Sequence, residues 1–102
     1  MVSKIILEEQ IKRCEDIVKA IKKGNYMDAS IRIRNNLNDK RFVWYKNIES
    51  IIDNQITNLF FDIENNFERN LTIKFFEHLI SEMKWDIEHE FYDGGKNECK
   101  IN

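Results

Sequence analysis

Proline is absent from the 102 residues of this chain, and glycine occurs only at Gly24, Gly94 and Gly95. Folds that reverse the backbone often, or bring it against phosphate, need glycine at those points. A turn-rich β-sandwich, a P-loop and a dinucleotide-binding turn are therefore nearly excluded. Long helices joined by a few turns remain.

The apolar periodicity agrees. Leu7, Ile11, Cys14, Val18 and Ile21 recur at alternating spacings of four and three, with Ile17 flanking them. That stripe predicts an amphipathic helix over 3–23. Ser3 is suited to cap its first turn and Gly24 to follow its last. Lys19, Lys22 and Lys23 complement the negative end of its dipole. A second helix is expected over 26–38, opened by Asn25, with Tyr26, Ala29 or Ser30, Ile33 and Leu37 facing inward. Ile31 to Arg34 alternates as a strand would, but a lone strand this short has nothing to pair with.

A long helix is expected over 41–67, from Tyr45, Ile48, Ile52, Ile56, Leu59, Ile63 and Phe67. Ile51, Phe60 and Phe61 widen its stripe, which favours a bundle over a two-stranded coil. Asn65, Asn66 and Asn70 read as a turn. A last helix is expected over 71–92, capped by Asn70 or Thr72 and ended by Gly94 and Gly95. Phe76, Leu79, Ile80, Met83, Ile87 and Phe91 form its core face. The expected fold class is all-α: a compact four-helix bundle in a single domain, 1–95, with a mobile polar tail over 96–102.

Hydrophobic residues make up 42% and charged residues 33% of the chain, the composition of a soluble folded protein. No apolar run approaches the length of a membrane span. No charged-then-apolar leader opens the chain, so the expected location is cytoplasmic. Cys14 and Cys99 are too few for a disulfide framework. Cys14 falls on the apolar stripe, and Cys99 falls in the tail as a free thiol. Residues 1–46 carry a net charge of +5 and residues 47–102 a net charge of −7. The chain is therefore electrically uneven rather than generally attractive to polyanions.

Catalytic chemistry finds little support. His78, Glu82, Asp86, His89 and Asp93 share one side of the last helix, and Asp86-x-x-His89 has the carboxylate–histidine step of di-iron bundles. Helical geometry turns the group away from Phe76, Ile80, Met83 and Ile87, and no second such pair exists. No Gly-x-Ser-x-Gly elbow occurs, and Arg69 lies too far before His78 for the arginine–histidine step of HEPN-type RNases. No enzyme activity, metal, cofactor or small-molecule substrate is expected.

Binding is the better reading. His78, Trp85, His89 and Tyr92 form a heptad-like seam away from the core stripe, with Trp44 on a similar edge of the preceding helix. Outward aromatics anchor interfaces. Glu82, Asp86, Glu88 and Glu90 around them suit steering of a partner. The expected function is masking of another protein, as an inhibitor, immunity factor, phage-type anti-defence protein or adaptor. A homodimer through the same seam is compatible. The alternative is nucleic-acid binding through Arg32, Arg34, Lys40 and Arg41, in a segment, 32–46, that mixes cations, amides and aromatics.

Gly24-Asn25-Tyr26-Met27-Asp28-Ala29 resembles the turn and second-helix start of a tetratricopeptide repeat. No second copy follows, and one unit cannot build a solenoid. In size and helical content the chain is also similar to bacteriocin immunity proteins and some phage-encoded inhibitors. No motif carries that similarity.

Overall fold

In the computed structural model, residues 2–38 and 66–96 are described. They form three helices, which we label α1 (Lys4–Lys22), α2 (Tyr26–Asn38) and α3 (Asn66–Glu88). The described residues are helical and contain no strand, with one isolated parallel bridge between Ser3 and Asp93. The helix expected over 41–67 lies outside them except for its last two positions, which belong to α3. The tail beyond Lys96 also lies outside. No helix among the described residues is long and apolar enough to cross a membrane.

Local chemistry sets both ends of α1. The Ser3 hydroxyl accepts a hydrogen bond from the Ile6 amide at 3.3 Å, which satisfies one of the orphan donors of the first turn. At the other end Gly24 adopts φ +82°. Its amide donates to the Ile21 carbonyl at 3.0 Å, and the Asn25 amide donates to the Ala20 carbonyl at 2.9 Å. This is a Schellman closure, and it reverses the chain into α2.

α1 is the shared element. It packs along both α2 and α3, which meet each other only through side chains such as Tyr26 and Arg69 among the described residues. Ion pairs give the registers: Lys22–Glu77 at 3.4 Å and Lys84–Glu15 at 3.5 Å run α3 antiparallel to α1. Arg32–Asp16 at 3.9 Å lays α2 back along α1. All these pairs are exposed and fix alignment more than stability.

The core holds Leu7, Ile11, Cys14, Ile17, Val18 and Ile21 of α1, with Ala29 and Ile33 of α2 and Phe76, Leu79 and Met83 of α3. The alternation at Ile31–Arg34 is absorbed by helix: Ile33 is buried and Ile31 is half exposed. Burial pushes the Cys14 thiol up to about 12. Two amides are also buried. Among the described residues, Asn36 finds no hydrogen-bond partner for Nδ2 or Oδ1, and Gln10 finds none for Oε1.

α3 departs from the expected helix over 71–92 at both ends. Asn66 and Asn70, read with Asn65 as marking a turn, are helical, and Thr72, offered with Asn70 as the cap, is fully buried inside the helix. The asparagines cost a few tenths of a kcal/mol each in a helix. Packing at this end outweighs that: the Arg69 guanidinium donates to the Tyr26 hydroxyl and also lies 4.3 Å from that ring's centroid. The C-terminal end comes early. Glu90 adopts φ +58° and its amide donates to the Ile87 carbonyl, while the Phe91 amide donates to the Asp86 carbonyl at 2.8 Å. This is a second Schellman closure with glutamate where glycine is usual. The chain then crosses to the start of α1, where the Asp93 amide donates to the Val2 carbonyl at 2.9 Å. Gly94 and Gly95, read as the helix stop, instead form the turn after this crossing. A Cβ on Gly95 would sit 2.3 Å from the Glu90 carbonyl oxygen.

Three outcomes follow. Glu90→Gly relieves a left-handed glutamate and stabilises by about 1 kcal/mol, raising the melting midpoint by roughly 4–8 °C, whereas Gly95→Ala lowers it. Asn36→Leu removes two unpaired polar atoms and raises the urea midpoint, by roughly 1–2 kcal/mol of stability. In a Cys99→Ser background, Cys14 stays unreactive to a thiol reagent at pH 8 until the protein is unfolded. Its stabilisation by a neutral buried thiol is complete below the ordinary thiol range of about 8.5. It is lost as pH rises toward the folded value, because only the unfolded state releases that proton readily.

Candidate partner-binding surface

The early end of α3 rearranges the aromatic seam. Phe91, placed in the core by continued periodicity, turns outward, and its ring stacks on Trp85 at 5.4 Å between centroids and 15° between planes. Tyr92, placed on the outer seam, is half-buried and packs against the core. A helix carried through residue 92 would have put each on the other side. The left-handed Glu90 exchanges them.

Trp85 is the centre of the resulting cluster. It lies on the face of α3 opposite Met83 and is 49% exposed. One turn on, the His89 ring stacks on it at 3.9 Å and 18°. His89 Nδ1 lies 2.9 Å from the Trp85 carbonyl oxygen. A carbonyl only accepts, so Nδ1 is the nitrogen that donates, and this bond orients the ring. The tryptophan is thus exposed to solvent and yet held between two neighbours on its own chain.

Of the other residues expected at this surface, His78 is exposed and pairs with Glu82, Nε2 to Oε1 at 3.3 Å. Asp86 does not belong there: it is 6% exposed. The buried positions of α3 are Thr72, Phe76, Leu79, Met83 and Asp86, a continuous stripe at spacings of four and three. Asp86 continues that stripe, while Ile80 and Ile87, expected in the core, are half-buried on its flank. Trp44 lies outside the described residues. Phe91, half-buried against Trp85, is a member of this cluster that the helical periodicity does not reveal, and no glycine or proline stands at the left-handed turn that places it there.

The basic segment is only partly described, since Lys40 and Arg41 lie outside. Arg32 and Arg34 are both exposed on α2. Arg32 donates from Nε to Asp28 at 2.9 Å and lies within 3.9 Å of Asp16. The hydrogen bond and charge of Asp28 raise its pKa further. With carboxylates on two sides, Arg32 has little net field to offer a phosphate.

Among the described residues, no group of three or more His, Cys, Asp or Glu is placed to hold a metal ion. No protein-family model matches this chain, and no curated protein or solved structure resembles it significantly.

The cluster is testable by its own spectroscopy. Trp85→Phe removes the stacked indole and with it the near-ultraviolet dichroism that a fixed tryptophan gives, while far-ultraviolet helicity is retained. An unchanged near-ultraviolet spectrum would mean that Trp85 is not held by its neighbours.

Proposed function

We propose that this chain is a non-enzymatic protein-binding module of the cytoplasm, acting by masking a partner as an inhibitor, immunity factor, anti-defence protein or adaptor. In this reading the segment expected as a helix over 41–67, less the two positions that belong to α3, supplies the fourth helix of a bundle whose other members are α1, α2 and α3.

The observation that supports it is the state of Trp85: about half exposed, and stacked on His89 and Phe91. An aromatic already ordered in the free protein loses little rotamer freedom on binding, so more of its burial energy appears as affinity. Glu82, Glu88 and Glu90 on the same end of α3 favour a cationic partner surface and fast encounter. Asp86 and Tyr92 play no part in the contact, because both face the core.

The test compares wild-type and Trp85→Glu proteins immobilised against an extract of the source cells, with light scattering of each at increasing concentration. The expected result is a partner, or a second copy, retained by wild type and weakened about thirtyfold or more by the variant, an effect of roughly 2 kcal/mol or above. Equal retention by both, with helicity intact, overturns the reading. Retained nucleic acid that is released as salt rises would point instead to the basic segment.

A further inference from the structure

On the other flank of the α1–α3 pair, a groove of about 650 Å³ runs between the two helices. It is lined by Val18 and Ile80, with the exposed Lys22–Glu77 and Lys84–Glu15 ion pairs joining the two helices along it. A second depression of about 490 Å³ continues it toward the start of α3, sharing Lys22 and Glu77 and adding Ile73, Lys74 and Arg69. Along α3 the trough extends from Arg69 to Lys84, about 22 Å at the helical rise.

The lining is strongly cationic. Lys19, Lys22, Lys23, Arg69, Lys74 and Lys84 face Glu15 and Glu77 alone. Both glutamates are already taken by Lys84 and Lys22. Lys19, Lys23 and Lys74 stand on the rims with no carboxylate partner among the described residues. Sequence order hides this concentration, because it comes from the end of α1 and from positions spread along α3 between Arg69 and Lys84. The second of these lies in the half of the chain that is acidic overall.

We propose that this trough is a docking site for an acidic, amphipathic α-helix of a partner protein, about 15 residues long. A groove between two antiparallel helices accepts the side-chain ridge of a third. The apolar edge of such a helix would lie on Val18, Ile73, Ile80 and the lysine stems, which are themselves apolar. Its carboxylates would meet Lys19 and Lys23 on one rim and Lys74 on the other. A nucleic-acid backbone fits less well, because it has no apolar edge for the isoleucines. The site is separate from the Trp85 cluster and does not depend on it.

The test uses a fluorescein-labelled acidic peptide of about 16 residues, with leucine at every third or fourth position and glutamate elsewhere. A scrambled peptide of equal composition and a single-stranded DNA of similar length are the controls. Anisotropy is read at about 0.15 M salt, where long-range attraction is screened. The amphipathic peptide is expected to bind at least tenfold tighter than either control. Lys19→Gln/Lys23→Gln/Lys74→Gln should weaken it at least tenfold, and Ile80→Ser should weaken it severalfold, each with unchanged helicity. Trp85→Ala should bind as wild type does. Equal binding of the scrambled peptide or the DNA overturns the proposal in favour of a general polyanion surface. Loss in Trp85→Ala with retention in the lysine variant also overturns it, and moves the contact to the aromatic cluster.

Discussion

The backbone of Glu90, at φ +58°, organises the whole C-terminal end of α3. A continued right-handed helix would carry the chain away from α1. The left-handed residue turns it across instead, so that the Asp93 amide reaches the Val2 carbonyl. One backbone conformation thus ties the beginning of the described fold to its end, and α1 and α3 are held together there by main-chain bonding as well as by side-chain packing. The same turn sends Phe91 out to Trp85 and brings Tyr92 in to the core. A left-handed non-glycine residue costs roughly 1–2 kcal/mol. Two Schellman hydrogen bonds, the bond to Val2 and the burial of Tyr92 offset it. The exposed aromatic cluster is a consequence of how the chain closes.

The legible parts of the sequence were those written in local chemistry. Ser3 caps α1, Gly24 ends it in a left-handed conformation, and α2 occupies 26–38, because each boundary depends on residues within one turn of it. The illegible parts depended on contacts distant in sequence. Asn66 to Asn70 have the composition of a turn, and Arg69 becomes helical while engaging Tyr26 from another helix. Glu90 has no intrinsic preference for the left-handed region, and nothing nearby announces that Val2 will claim the segment. Asp86 was misplaced for a related reason. Apolar side chains define a stripe by eye, and a carboxylate that continues the stripe at the right spacing is read as its opposite face.

At the candidate surfaces the legibility divides in the same way. Trp85 and His89 were visible as an i, i+4 pair on the outer face, since both lie inside the regular helix. Phe91 was not, since its position is set after the helix has ended. The cationic trough was invisible from charge counting along the chain. Lys19, Lys22 and Lys23 looked sufficient as complements to a helix dipole, and only the antiparallel register brings Lys74 and Lys84 alongside them.

Charge segregation in this fold is therefore crosswise rather than sequential. Lys19, Lys22 and Lys23 of α1 share the trough with Arg69, Lys74 and Lys84 of α3, whereas Glu82 and Glu88 lie three residues either side of the exposed tryptophan. On the two proposals above, surfaces of opposite sign on one short helix pair would attract different partners. Complementary fields act mainly on encounter rate and on the rejection of wrong partners. If both proposed surfaces bind, one partner could be held on each without competing for the other's site, and among the proposed masking roles an adaptor would use two surfaces where a plug uses one. Between α1 and α3 the Lys22–Glu77 and Lys84–Glu15 pairs add little stability, but they set the register on which both surfaces depend. A shift of one helical turn between the two helices would pull Lys74 and Lys84 out of line with Lys19 and Lys23. The same shift would break the Asp93–Val2 bond that holds the aromatic end in place.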